Sequence, residues 1–369
     1  MSAVRAQARV DVGAIERNVA RLGRELGAGT ALSAVVKADG YGHGAPQAAR
    51  AALAGGATWL AVAAADEAAA LRTAGIDARL LVLGALSPDE LDVALAAGAD
   101  VVVWREEHVA AVAARGGGRV HVKLDTGMGR LGTRDPHEAD RTAAAAAAAP
   151  EVELVGAMTH FATADELGDA FFAQQLERFA AWARPLAERH PGLILHAANS
   201  AGLLRDPACH FDLVRAGVAI YGLDPFQQDA AARDLEPALV LASRVAEVKP
   251  CAAGQSAGYN RRFVAERDTV IATVPIGYGD GLRRALTNDA DVLVGGRRFP
   301  VVGTVSMDNV TLDVGPDGGG VRRGDEVILI GPGLPVEEMA ARLGTINYEV
   351  TCGLTGRVPR IHHRDGAPL

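Results

Sequence analysis

The 369-residue chain is poor in aromatic and sulfur-bearing residues: Phe, Trp and Tyr make up 4% of it, and it has three cysteines. Cys209, Cys251 and Cys352 are odd in number, far apart and without a C-x-x-C spacing. That pattern excludes a disulfide framework and a cysteine-based metal site, so three reduced thiols and no bound metal are expected. Missing as well is any apolar run near the roughly 20 residues of a membrane span. The opening stretch MSAVRAQARVDVGAIERN also lacks the apolar core of a signal peptide. These absences predict a soluble cytoplasmic protein with no membrane partner. Nor is there a basic cluster: 37 Lys and Arg stand against 45 Asp and Glu, so nucleic acid is excluded as a partner.

What the chain has is rhythm. From about residue 33 to residue 222, short β-branched or apolar runs alternate with alanine-rich helical stretches. The runs are LSAVVK (32–37), WLAVAA (59–64), RLLVLG (79–84), DVVVW (100–104), VHVKLD (120–125), LVGAMTH (154–160), LILHAANS (193–200) and DLVRAGVAIYG (212–222). Between them lie stretches such as SPDELDVALAAG and DPHEADRTAAAAAAAP, which open near Asp or Ser and close on Gly or Pro. Bracketed in this way, the seven alanines 143–149 read as helix. The count predicts an α/β protein whose N-terminal domain, residues 11–233, is a TIM-type (β/α)8 barrel. An open doubly wound sheet would carry a glycine-rich turn after its first strand. Past residue 233 strands and turns dominate, with PVEEMAARLG as one short helix. Residues 234–369 are therefore expected to form a mainly-β domain, to which residues 1–10 return.

Reactive residues of such barrels sit at the C-terminal ends of the strands. Those positions are unusually polar here: Lys37, then Lys123 and Asp125 leading to Arg130, then His160, then Asn199 and Ser200, then Arg215, Gly217 and Tyr221. Each has a simpler reading: a strand-end lysine is usually solvated, a lone histidine is usually a hydrogen-bonded core residue, Asn-Ser often starts a helix, and an arginine often pairs with a carboxylate. Together on one rim they converge on one cavity. A buried lysine near other cations has a lowered pKa and can add to an aldehyde, so a Schiff base is the natural chemistry for Lys37. The glycines of GYGHG, the Ser200 hydroxyl and the backbone amides of RAGVAIYG can hold a phosphate without a P-loop. An aldehyde and a phosphate together suggest pyridoxal phosphate.

The segments AVVKADGYGHG, KLDTGMGRLG, MTHFATAD, AANSAG, VRAGVAIYGLDP, PIGYGDG, GTVSMDN and NYEVTCGLTGRVPR occur in this order. They resemble the alanine racemase family, pyridoxal phosphate enzymes with a barrel and a C-terminal β domain. The resemblance implies an enzyme that interconverts L- and D-alanine for peptidoglycan, working as a homodimer with shared active sites. Lys37 would bind the cofactor and act as base on one face of the substrate, with Tyr259 of the partner subunit on the other. His160 would assist the tyrosine and contact Arg215, which would face the pyridine nitrogen. By the same resemblance Tyr41, Ser200, Gly217, Val218 and Tyr348 hold the phosphate. Arg130 and the Met307 amide take the substrate carboxylate, Tyr278 and Asp308 line the access path, and Lys123 matches a lysine carbamylated in some relatives.

Two places depart from the family pattern. KADGYGHG has Asp39 and Gly40 where Asn and Ala are expected, adding a charge and flexibility. After Tyr259 stands Asn260 in place of a glycine, and Asn tolerates positive φ best among the other residues. Three rival readings are a pyridoxal phosphate decarboxylase of the same architecture, a barrel that only carries the cofactor, and a broad-specificity or serine racemase. The MTHFATAD, GYGDG and VSMDN segments do not suggest the first, and the second has no use for residues 234–369. The third keeps every residue named above.

Overall fold

The computed structural model describes residues 4–369. The chain divides into two compact units, one made of residues 15–226 and 233–236, the other of residues up to 14, 227–232 and 237–369. Strand β1 (Ala6–Asp11) opens the chain and is followed by a helix over Val12–Gly23.

In the unit that follows, eight parallel strands form one sheet: β2 (Ala31–Val35), β3 (Trp59–Val62), β4 (Arg79–Val82), β5 (Asp100–Val103), β6 (Gly118–Lys123), β7 (Val152–Met158), β8 (Ile194–His196) and β9 (Leu213–Ala216). β9 pairs with β2, and the remaining seam is closed where Asp212 and Arg215 N–H groups donate to Leu195 and Ala198 carbonyls, each at 3.0 Å. The (β/α)8 expectation is borne out. β3, β5 and β9 are buried along their whole length, as parallel strands covered on both faces must be, and this is why they are apolar except at Asp100 and Arg215.

The intervening helices start where capping chemistry allows. Ser87 Oγ accepts the Glu90 N–H while the Glu90 carboxylate accepts the Ser87 N–H, a reciprocal cap that opens Pro88–Ala96. Asp135 caps Pro136–Ala148, which contains most of the polyalanine run. Its buried positions Ala139, Thr142, Ala143 and Ala146 recur at helical spacing, so small side chains bring this helix close to the strands.

The other unit carries a ten-stranded sheet. It adds β10 (Leu239–Arg244), β11 (Glu247–Cys251), β14 (Thr269–Val274), β15 (Asp291–Val294), β16 (Arg297–Val302), β17 (Val310–Asp313), β18 (Glu326–Ile330), β19 (Arg360–Arg364) and β20 (Ala367–Pro368), with a separate hairpin of β12 (Ser256–Ala257) and β13 (Phe263–Val264). β1 lies between β10 and β19, antiparallel to the first and parallel to the second. Its alternate residues Ala6, Ala8 and Val10 are buried, the period-2 pattern of a strand with one covered face. Besides the expected helix Val336–Leu343 there is a second at Asn347–Cys352, too short to leave a periodic signature.

Within the barrel unit, Asn18 is buried and fully engaged: its amide donates to the Ile220 (3.2 Å) and Glu236 (2.8 Å) carbonyls and accepts the Glu236 N–H at 2.8 Å. Replacing it by leucine strands three backbone groups. Asn18→Leu is expected to lower unfolding free energy by about 3 kcal/mol, read from the urea midpoint.

Candidate active site

β2 ends at Val35, so Lys37 does not close the strand as the sequence suggests. Instead it opens a left-handed turn in which Ala38, Asp39, Gly40 and Tyr41 all have φ between 51° and 62°. L-residues pay roughly 1–2 kcal/mol each for that conformation, so surrounding contacts must hold it. The turn leaves Lys37 half-buried, its amine 6.0 Å from the centre of the Tyr41 ring. Asp39 is exposed and its carboxylate accepts the Ala45 N–H at 2.8 Å, capping the helix Ala45–Ala54. The departure from the family pattern thus contributes a helix cap. Gly40 is held at φ 62° beside Ala45 and Ala48, where it adds no flexible segment.

At the centre of the barrel unit lies Arg215, buried and without a carboxylate among its partners. Its guanidinium donates to the Thr159 carbonyl (2.8 Å), the Ala197 carbonyl (2.9 Å), His196 Nδ1 (2.8 Å) and His160 Nδ1 (3.3 Å). The simpler reading of Arg215 as one half of an ion pair does not hold. Burial pushes its pKa down to about 10, which leaves it charged at neutral pH.

Because arginine can only donate, His196 Nδ1 must accept, and a neutral His196 carries its proton on Nε2. That atom meets His121 Nδ1 at 2.9 Å, and His121 Nε2 meets Asp100 at 3.1 Å. Every bond therefore points the same way, from Arg215 through His196 and His121 to Asp100. Burial opposes the charge on Asp100, but His121, Arg119 and Arg79 outweigh it and hold the carboxyl below its usual range. Sequence reasoning missed this chain. Its signal was a polar residue at an inward position of a buried strand in both VHVKLD and LILHAANS.

Around Arg215 the field is cationic. His160 is pushed well below the ordinary imidazole value by burial and then by Arg215, Lys123, Arg130 and Lys37, which places these expected site residues about one histidine. Lys123, buried at the end of β6, is lowered to about 8 by burial and by Arg215 and Arg130. The nearby carboxylate, Asp125, already accepts from the Gly127 and Gly129 amides and from Arg134.

The remaining expected barrel residues meet around Gly217. Ser200 Oγ accepts the Gly217 (2.8 Å) and Ala219 (3.3 Å) N–H groups, so its own O–H is left to donate. Gly217 has to be glycine, because a Cβ there would stand 2.4 Å from Tyr41 Oη. Val218 continues the chain into the tight turn Val218–Tyr221. The Ser200 O–H, left to donate within a cationic surrounding, fits the phosphate of pyridoxal phosphate. Asn199 caps the short helix Ser200–Arg205, the structural role first weighed for Asn-Ser. Tyr221 is structural as well, since its hydroxyl donates to the Val35 carbonyl and its ring stacks on His43.

The second unit presents the other expected residues at its surface. Tyr259 is 70% exposed, Met307 50% and Tyr278 42%. Asn260 adopts φ 61°, as its side chain allows, and Arg261 follows at 51°, which the sequence did not announce. The Tyr278 and Gly279 N–H groups donate to the Ser306 and Met307 carbonyls, at 3.0 and 2.9 Å, which ties these two loops together. Asp308 lies 2.6 Å from Arg357, whose hydrogen bond holds its carboxyl below the usual range. Tyr348 sits on the helix Asn347–Cys352, whose first residue is held by Gln227 and Glu337.

His121, His160 and His196 are all kept neutral in the folded chain. Unfolded, each takes a proton near pH 6.5, so the unfolded chain binds more protons below that pH. The contribution of these histidines to stability is expected to be flat above about pH 7 and to fall below about pH 6.5, by up to roughly 1.4 kcal/mol per pH unit for each histidine. Urea midpoints across this range check it, and His196→Gln should flatten the slope by about one proton's worth.

The family described as alanine racemase, N-terminal domain, matches residues 10–225, and alanine racemase, C-terminal domain, matches residues 238–362. The chain is 44% identical over 365 residues to the alanine racemase of Symbiobacterium thermophilum, covering 96% of each. It is 40% identical over 375 residues to alanine racemase 1 of Bacillus subtilis, covering 98% of this chain and 93% of the relative. Among solved structures, the alanine racemase of Streptomyces coelicolor A3(2) superimposes with a TM-score of 0.91 at 38% identity, over 98% of both chains. The alanine racemase of Bacillus anthracis with bound L-Ala-P gives 0.91 at 37% identity, over 100% of this chain and 97% of the other. The chain belongs to the alanine racemase family of pyridoxal phosphate-dependent enzymes.

Proposed function

We propose that the chain interconverts L- and D-alanine with pyridoxal phosphate bound at Lys37, as a homodimer whose two sites each draw residues from both subunits. The observation that carries this reading is the placing of the Lys37 amine 6.0 Å from the Tyr41 ring, whose hydroxyl lies over Gly217 beside Ser200, in a barrel unit where Arg215 donates to His160. Tyr41, Ser200, Gly217, Val218 and Tyr348 would hold the phosphate. Arg130 and the Met307 amide would hold the substrate carboxylate, while Tyr278 and Asp308 line the approach. A D-alanine product made in the cytoplasm would supply peptidoglycan.

Bound there, the cofactor supplies an electron-withdrawing ring that acidifies the substrate α C–H. Inversion then needs a base on each face. The Lys37 amine removes or returns the α-proton on one side, and the phenol of Tyr259, presented by the neighbouring subunit, does so on the other. Tyr259 and Met307 are exposed on one subunit, which suits residues that complete a neighbour's site. Since Arg215 donates to His160 Nδ1, the neutral imidazole keeps its proton on Nε2. Donated to the phenol oxygen, that proton stabilises the phenolate and lowers a pKa that is ordinarily about 10. Arg215 holds its own proton, so if placed toward the cofactor's ring nitrogen it would leave that nitrogen unprotonated and the ring a weaker electron sink, which would favour prompt return of the proton and retention of the amino group. Lys123, with a pKa of about 8, is roughly one-tenth neutral at pH 7. That free amine is the form that adds carbon dioxide to give a carbamate facing Arg130.

Chiral chromatography of L-alanine and L-serine incubated separately with the cofactor-loaded protein should show mainly D-alanine forming. Inversion of serine with alanine untouched would keep the mechanism and change the substrate. Lys37→Ala should abolish both turnover and the protein's visible cofactor absorption. Tyr259→Phe blocks one face only, so in deuterium oxide it should slow exchange from one enantiomer at least about tenfold more than from the other. Equal losses from both enantiomers would count against two bases.

A further inference from the structure

Two neighbouring helices of the barrel unit, Ala65–Thr73 and Pro88–Ala96, begin with a glutamate at the third position that reaches back to the N-terminal amides. In the second helix Glu90 accepts the Ser87 N–H at 2.8 Å. In the first, Glu67 Oε2 accepts the Ala63 (2.8 Å) and Ala64 (3.1 Å) N–H groups. Glu67 also does something Glu90 does not. Its second oxygen, Oε1, accepts the Ala38 N–H at 2.6 Å. Ala38 directly follows Lys37 and is the first residue of the left-handed turn. One carboxylate thus ties the loop after β3 to the strained turn after β2, and it does so with three N–H groups.

The turn is tied to the helix that follows by its second residue, Asp39, whose carbonyl accepts the Gly44 N–H and whose carboxylate accepts the Ala45 N–H, each at 2.8 Å. With both ties in place the chain has little choice. Lys37 stands at one end, and at the other Tyr41 lays its hydroxyl over Gly217. We propose that Glu67 is a positioning residue that holds the left-handed turn by the Ala38 N–H, so that Lys37 and Tyr41 are preset before the cofactor arrives. The proposal rests on the reading that Lys37 binds the cofactor and Tyr41 its phosphate. Glutamine cannot take the place of the carboxylate, because it has one acceptor oxygen and its NH2 would face an N–H donor.

The matched control is built into the fold: Glu90→Ala removes a helix cap of the same kind that touches no site residue. Glu67→Ala, Glu67→Gln and Glu90→Ala would be compared in the cofactor-free protein by amide hydrogen exchange over residues 36–44, and by the dissociation constant for pyridoxal phosphate. Loss of a charge-assisted hydrogen bond predicts exchange at least about tenfold faster in both Glu67 variants, and cofactor binding weaker by a similar factor. Glu90→Ala should leave both readouts as in the unaltered chain. The glutamine variant, which keeps the side chain's size, covers the case in which Glu67→Ala fails to fold. Glu67 variants that match the Glu90 control overturn the proposal. So does faster exchange with unchanged cofactor affinity, which would make Glu67 a structural clamp only. A failure of the Lys37 reading would show separately, as visible cofactor absorption that survives Lys37→Ala.

Discussion

A guanidinium buried among neutral acceptors is the constraint on which this site depends. Arg215 remains charged with its donors directed at two carbonyls and two imidazoles. Such a charge is tolerated only when every partner accepts, because an unpaired buried ion is costly. Protonation of His196 or His160 would turn an acceptor into a donor facing the guanidinium. Neutral histidines are therefore a condition for placing the arginine. The chain from Arg215 to Asp100 meets that condition by giving each imidazole proton an acceptor, and Asp100 in turn is anchored by Arg79 and Arg119.

The same economy of conformations governs the backbone. The turn at Ala38 to Tyr41 lies in a region that L-residues avoid; the Glu67 carboxylate holds its first residue and the Asp39 carboxylate ties its second to the helix that follows. Gly217 leaves room for the Tyr41 hydroxyl and donates its N–H to Ser200, so main chain and two hydroxyl groups meet at this point. Positive charge comes from the surroundings, where Arg215, Lys123, Arg130 and Lys37 act on His160 and where Arg215 and Arg130 also act on Lys123.

Much of this was legible in the residues. The eight apolar runs became eight strands, the polyalanine run became the helix Pro136–Ala148, and Asn260 took the positive φ that its side chain permits. The left-handed turn was not legible, since nothing local makes Ala38 left-handed; the clamp comes from Glu67, 29 residues away. The histidine chain was hidden for a similar reason: His121 and His196 are 75 residues apart and meet only because β6 and β8 both face the barrel interior. Motif reasoning found the residues at the strand ends. The histidines and aspartate beneath them, which continue the hydrogen bonds of Arg215 inward, belong to no motif.

The most direct test is the state of two imidazoles. Nitrogen-15 NMR of His121 and His196, in the cofactor-free protein from about pH 6 to about pH 9, reports both charge and tautomer. Both rings are expected to stay neutral throughout, with the proton on Nε2. A ring that titrates near its ordinary value of about 6.5, or that carries its proton on Nδ1, would contradict the directed chain from Arg215 to Asp100.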